Sequence, residues 1–125
     1  MSYLLVALGG GLGAVARFAC GQMALKLLGP DFPFGTLFVN AVGSLLMGVL
    51  IGVLALRIDG HPEIRLFLAV GVLGGFTTFS TFSLDTVVLV ERGAMASAAL
   101  YVLGSVIVSI VFLFGGMRAM RWILS

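Results

Sequence analysis

Four long apolar runs, parted only by short charged or Gly/Pro-bearing turns, take up almost all of this chain. A helix needs roughly 20 mostly apolar residues, at about 1.5 Å of rise each, to cross the hydrocarbon of a bilayer. The runs at residues 3–28, 34–56, 63–90 and 94–117 all reach that length. With 61% of its 125 residues apolar and only 10% charged, the chain has more apolar surface than a soluble domain of this size hides. Lipid is the expected solvent, and in lipid the backbone must satisfy its own polar groups. The fold class is therefore an all-α integral membrane protein with four transmembrane helices, in one domain over residues 1–125.

Much chemistry is excluded at once. A formal charge of +2 without a basic tract gives no sign of nucleic acid. Cys20 is the only cysteine, so no internal disulfide and no Cys metal cluster is expected. The Arg17-Phe18-Ala19-Cys20 sequence is a poor lipoprotein cleavage site because of Arg17, and no basic segment precedes the first span. His61, among Asp59, Gly60, Pro62 and Glu63, reads as a solvated loop residue. Mid-span positions hold no paired carboxylates, His or Lys, and there is no Walker motif and no Ser-His-Asp set. Asp85 is the one acid clearly away from the loops. An enzyme or a proton-coupled pump has little to work with.

The third run contains the stretch on which the rest turns: Gly74-Gly75-Phe76-Thr77-Thr78-Phe79-Ser80-Thr81-Phe82-Ser83. Ser and Thr side chains compete for nearby backbone groups, and a Gly pair weakens a helix further. The helix is expected to break or loosen here, which lipid tolerates only where the backbone is buried in protein or lines a watery cavity.

In the first span, Gly9-Gly10-Gly11-Leu12-Gly13 lets another helix come close. Arg17 lies well inside that span, either snorkelling to an interface or lining a vestibule that attracts anions. Gly29-Pro30-Asp31-Phe32-Pro33 is a turn. In the second span Asn40, Ser44, Gly48 and Gly52 share one face, and Asn40 reads either as interhelical glue or as a pore or vestibule residue. Pro62 opens the third span. In the fourth, Tyr101, Ser105 and Ser109 put three hydroxyls on one stripe, for packing or as a polar track. Arg118, Arg121 and Trp122 are interfacial anchors. With the N-terminus inside, Arg57, Arg65, Arg118 and Arg121 face Lys26 and Arg92, a bias weak enough to permit insertion both ways round.

What remains for chemistry is hydroxyls, an amide, an intramembrane Arg and two Phe rings. Hydroxyls and amides donate hydrogen bonds, and Arg attracts anions. Phe79 and Phe82, three residues apart, share a helix face and can present their partly positive ring edges to one small anion, although rings at this spacing are usually packing. The set suits a small, hard, strongly hydrated anion, and without fixed counter-charge it suits passage better than trapping.

At these residues the chain resembles the Fluc family of fluoride channels, also called CrcB-type. The resemblance covers nearly the whole chain. It rests on the four spans, the Gly-rich first span with Arg17, Asn40-Ala41-Val42-Gly43-Ser44, and above all the run from Gly74 to Ser83. It implies an antiparallel, dual-topology homodimer with two pores in the bacterial cytoplasmic (inner) membrane. Such a protein is a passive, selective channel that expels fluoride and so confers fluoride resistance. Phe79 and Phe82 match the pore phenylalanines, Asn40 the vestibule or pore asparagine, and Tyr101, Ser105 and Ser109 the polar track. Thr78, Ser80 and Thr81 are further pore candidates, with Arg17 and Asp85 in the vestibule. The resemblance also implies a third helix broken at its centre and a structural Na⁺ at the dimer interface, held by the backbone carbonyls of Gly74 and Thr77. Gly71 and Gly75 are expected near the centre of the dimer face.

Two positions depart from the family pattern: Asp85 stands where Glu is usual, one methylene shorter, and Phe76 where a smaller aliphatic is common. Two other functions fit the size. A small dual-topology multidrug exporter needs a carboxylate in its first span, where this chain has Arg17 and no acid. A non-transporting membrane assembly subunit would use the glycine faces but not the hydroxyl and Phe run.

Overall fold

The computed structural model describes residues 1–56 and 61–125. Arg57 and Asp59, which the sequence places in the charged loop, lie outside the described residues. The elements are α1 (Ser2–Leu28), α2 (Phe34–Leu56), α3 (residues 62–76), α4 (Phe79–Glu91) and α5 (Met95–Leu124). Four stretches are long and apolar enough to cross a membrane: Ser2–Leu28, Phe34–Ala55, Pro62–Glu91 and Met95–Leu124. The third of these takes α3 and α4 together. The fourth runs on to Leu124, past Met117, so Arg118, Arg121 and Trp122 are still helical.

Local chemistry accounts for most of the boundaries. α1 stops at Gly29, whose φ of 80° is open to glycine without a Cβ penalty. Pro62 takes the first position of α3, where its missing N–H costs nothing. Between Pro62–Arg65 and Gly74–Phe76, the residues Leu66–Leu73 wind as a π-helix, and the Gly74 N–H reaches the Ala69 carbonyl five residues back. Nothing in the sequence signals this widened segment.

Between α3 and α4 the backbone leaves the helical region at Thr77 (φ −88°, ψ 160°) and Thr78 (φ −152°, ψ 126°). Thr78 is the N-cap of α4, its side chain accepting from the Thr81 N–H at 3.2 Å. Ser80, Thr81 and Ser83 are ordinary helical residues, so the effect of the hydroxyl run on the backbone is confined to two positions.

Two seams hold the bundle together: α1 against α3 and α2 against α5. Both depend on missing side chains. A Cβ on Gly13 would fall on the Val72 carbonyl, and one on Gly48 would fall on the Leu113 carbonyl. The expectation for Gly71 and Gly75 is corrected here. A Cβ on Gly71 would sit 3.0 Å from the Gly9 Cα, and one on Gly75 would sit 2.5 Å from the Gly10 carbonyl oxygen. The two glycine faces complement each other within one chain, so this face is already covered and does not await a partner.

Tyr101 and Val39 are the largest fully buried side chains, and Tyr101, Phe82, Leu89 and Ala98 form one core cluster. Leu8, Leu12 and Val15 on α1 and Leu103, Ile107 and Ile110 on α5 are exposed, as suits helices with lipid around them.

Candidate functional site

The extended pair Thr77–Thr78 is held from outside. Asn40 Nδ2 donates to the Thr78 carbonyl at 2.9 Å, and the Thr78 N–H donates to Asn40 Oδ1 at 2.8 Å. One side-chain amide thus pairs with both ends of one residue's backbone, and this fixes which end of the amide is oxygen. The Thr78 hydroxyl makes a second knot. It accepts from the Thr81 N–H, donates to Thr81 Oγ1 at 3.3 Å and lies 3.3 Å from Ser80 Oγ. A third tie is Arg17, whose Nε donates to the Gly75 carbonyl at 3.0 Å. That carbonyl lies at the C-terminal end of α3, the negative end of a helix, where a cation is favoured. Arg17 therefore faces protein instead of snorkelling.

On one side of this knot lies a groove of about 430 Å³. α2 contributes Asn40 and Ser44, the α3–α4 connector contributes Thr77 and Thr78, α4 contributes Phe79 and Phe82, and α5 contributes Ser105 and Ser109. Among the described residues, no acid or base lines it. The Phe79 and Phe82 ring centroids are 5.5 Å apart. Phe82 is 9% exposed and Phe79 is 78% exposed, so one ring is seated in the core and the other stands off the chain's surface.

The hydroxyls divide into two groups. Thr77, Ser83 and Thr86 each donate to the carbonyl four residues back, at 2.9–3.0 Å, the usual way a hydroxyl is satisfied inside a membrane helix. The Ser105 and Ser109 hydroxyl oxygens are buried and have no hydrogen-bond partner among the described residues. A buried polar group left unpaired costs about 1–3 kcal/mol. Both serines line the groove, where something polar could use their hydroxyls.

Tyr101, the third member of the α5 stripe, is not in the groove. It is fully buried, with its ring against Phe82 at 5.2 Å and edge-on to Phe32 at 5.6 Å. Its hydroxyl donates to Asp85 Oδ2 at 3.0 Å. Asp85 lines a separate cavity of about 250 Å³ at the loop end, with Asp31, Thr36 and Arg92. Arg92 donates to the carbonyls of Asp31 and Pro30, tying the first turn to the end of α4. A third cavity, about 160 Å³, holds Arg17, Gln22, Thr36, Thr78 and Thr81 on the other side of Thr78 from the groove. Ser80 is exposed, with its hydroxyl 3.3 Å from that of Thr78.

Sequence reasoning gave Ser44 no site role and passed over Thr36, which lines both smaller cavities. The signal was present: Thr36, Asn40 and Ser44 recur every fourth residue and extend the polar stripe of α2 by one turn.

The carbonyls of Gly74 and Thr77 fit a bound cation. In a continuous helix they would accept from the Thr78 and Thr81 N–H groups, but those go to Asn40 Oδ1 and the Thr78 hydroxyl. Backbone carbonyl oxygens outside the helix ladder are good ligands for a hard monovalent cation. Among the described residues, no group of His, Cys, Asp and Glu could hold a metal.

Comparison with known proteins gives a consistent picture. The family described as "CrcB-like protein, Camphor Resistance (CrcB)" matches residues 4–117. A Novosphingobium aromaticivorans protein named fluoride-specific ion channel FluC is 57% identical over 118 residues, covering 93% of each chain. Proteins of the same name from Nitrobacter winogradskyi and Agrobacterium fabrum are each 54% identical, covering 94% of each chain.

Proposed function

From its place in the CrcB-like protein family, to which this chain belongs, we infer that it is an integral membrane fluoride channel and not an enzyme. The observation that carries the mechanism is the groove between α2, α4 and α5, which is lined by Phe79 and Phe82 and by Ser105 and Ser109, whose hydroxyls have no partner among the described residues. Fluoride is small and strongly hydrated, so a pathway must replace its water shell with donors of similar strength. The two hydroxyls donate hydrogen bonds and the ring edges supply partial positive charge. Asn40 has one amide hydrogen left after its bond to Thr78, and Arg17 has its terminal guanidinium N–H groups after its bond to Gly75. Arg17 draws the anion in through the cavity it shares with Thr36, Thr78 and Thr81.

Conduction in this reading is passive and selective, and fluoride leaves down its electrochemical gradient. The absence of an acid or base from the groove lining supports passage without proton exchange. The working unit is an antiparallel, dual-topology homodimer with two pores in a bacterial cytoplasmic membrane. Support comes from Phe79, which stands 78% exposed on a single chain beside the groove it would help to close. We read α3 and α4 as one span broken at mid-membrane. The Gly74 and Thr77 carbonyls would hold a structural Na⁺ at the dimer interface, which would supply a fixed positive charge to brace the break.

Ion efflux from liposomes holding the purified protein tests this, with fluoride and chloride compared under a K⁺ gradient with valinomycin. Rapid fluoride loss without chloride loss, and without need of a proton gradient, is the expected result. No fluoride movement from protein shown to be folded would overturn it.

A further inference from the structure

We propose that Asn40 is a positioning residue for a monovalent-cation site. Its two-way bond to the Thr78 backbone keeps the Gly74 carbonyl out of the helix ladder and open to the ion. The inference rests on the Na⁺ reading given above and adds the device that makes the ligands.

Hydrogen-bond accounting leads to it. If α3 ran straight into α4, the Thr78 N–H would close a ring on the Gly74 carbonyl and the Thr81 N–H on the Thr77 carbonyl. Asn40 Oδ1 intercepts the first at 2.8 Å. The Thr78 hydroxyl intercepts the second at 3.2 Å, in the N-cap position that Thr78 occupies with extended backbone. Asn40 Nδ2 pulls on the carbonyl of the same residue and so holds that conformation. One side chain thereby releases both carbonyls, directly at Gly74 and through Thr78 at Thr77.

Two neighbouring groups are taken up elsewhere. The Gly75 carbonyl, which sits between the two, is occupied by Arg17 Nε. The Thr77 hydroxyl donates back to the Leu73 carbonyl at 3.0 Å and so does not compete. Gly74 is exposed, and a Cβ there would meet only the Ala69 carbonyl at 3.5 Å, so its backbone lies open on the chain's outer face. Simple interhelical glue would use the same hydrogen bonds but would leave the response to cations unchanged when removed. That difference makes the proposal testable.

The test compares wild type with Asn40→Leu, which keeps the branched heavy-atom skeleton and removes both hydrogen bonds, and with Thr78→Val, which removes the cap and leaves Asn40 in place. Thermal unfolding of the purified dimer is followed against NaCl, with N-methyl-D-glucamine chloride holding ionic strength constant, and amide hydrogen exchange is followed over residues 74–81. Wild type is expected to melt higher as Na⁺ rises. Asn40→Leu is expected to need at least about tenfold more Na⁺ for half the effect, a change of about 1.4 kcal/mol in binding. Its Na⁺-dependent exchange protection over 74–81 should be lost as well. Thr78→Val should show a smaller shift in the same direction. An Asn40→Leu dimer with the wild-type Na⁺ response would overturn the proposal and leave the Na⁺ reading intact. Should Asn40→Leu yield no dimer, an unshifted Na⁺ response in Thr78→Val would overturn it. A wild type indifferent to Na⁺ would remove the Na⁺ reading and this proposal together.

Discussion

Tyr101 and Asp85 are joined side chain to side chain: the buried phenol donates to the carboxylate at 3.0 Å across the contact between α5 and α4. The same phenol ring backs Phe82, so the acid at the loop-end cavity and the aromatic pair of the groove are linked through one residue. Asp85 serves as an acceptor in this arrangement, and an amide oxygen can replace it. Asp85→Asn should therefore keep most of its fluoride efflux, with or without an imposed pH gradient. Loss of flux in this variant, together with wild-type efflux that needs an imposed pH gradient, would indicate proton coupling.

Tyr101→Phe keeps the ring contacts but removes the donor, leaving Asp85 without its partner. The expected cost is about 1–3 kcal/mol, read as a lower melting temperature of the purified protein. Fluoride efflux should persist, because the phenol hydroxyl faces Asp85 and not the groove.

Ser105→Ala and Ser109→Ala should separate function from stability. Each removes a buried hydroxyl that has no partner among the described residues, so the protein should unfold at the same temperature or higher. Fluoride efflux should slow, most in the double variant. A double variant with wild-type efflux would show that the groove hydroxyls do not touch the ion.

Phe79→Ile and Phe82→Ile should each suppress fluoride efflux without preventing dimer formation, as judged by size-exclusion chromatography. Stability should differ between them. Phe82 is 9% exposed and packs on Tyr101, so its replacement by a smaller side chain should cost about 1–3 kcal/mol. Phe79, at 78% exposed on the single chain, should cost less. Normal flux in both variants would remove the rings from the mechanism.

Gly13→Ala and Gly11→Ala test the α1–α3 seam. A Cβ at position 13 falls on the Val72 carbonyl, a backbone atom that cannot rotate away, whereas a Cβ at position 11 meets nothing within 4 Å. Gly13→Ala should lose about 1–3 kcal/mol and Gly11→Ala should gain up to about 1 kcal/mol, compared by thermal unfolding.

The four spans could be read from the chain alone, because their cause is local. Each apolar run is long enough to cross the hydrocarbon, and lipid obliges each to close its own backbone hydrogen bonds. The inventory of the site could be read in the same way: the hydroxyl and Phe run, Asn40, Arg17 and the serine stripe all show in order and spacing. Residues at a helical interval must share a face, whatever that face meets.

Which partner each face and each polar atom would find lay beyond any local rule. Nothing in their spacing told the satisfied hydroxyls of Thr77, Ser83 and Thr86 from those of Ser105 and Ser109, which have no partner among the described residues. The glycines at 71 and 75 looked fit for a second copy, yet they meet Gly9 and Gly10 of the same chain. Asn40 could have been glue or lining until Thr78, 38 positions away, took both ends of its amide. A hydrogen bond needs its two atoms within about 3 Å at a suitable angle. Periodicity puts a residue on a face, but only the packing of helices distant in sequence brings that face to its partner.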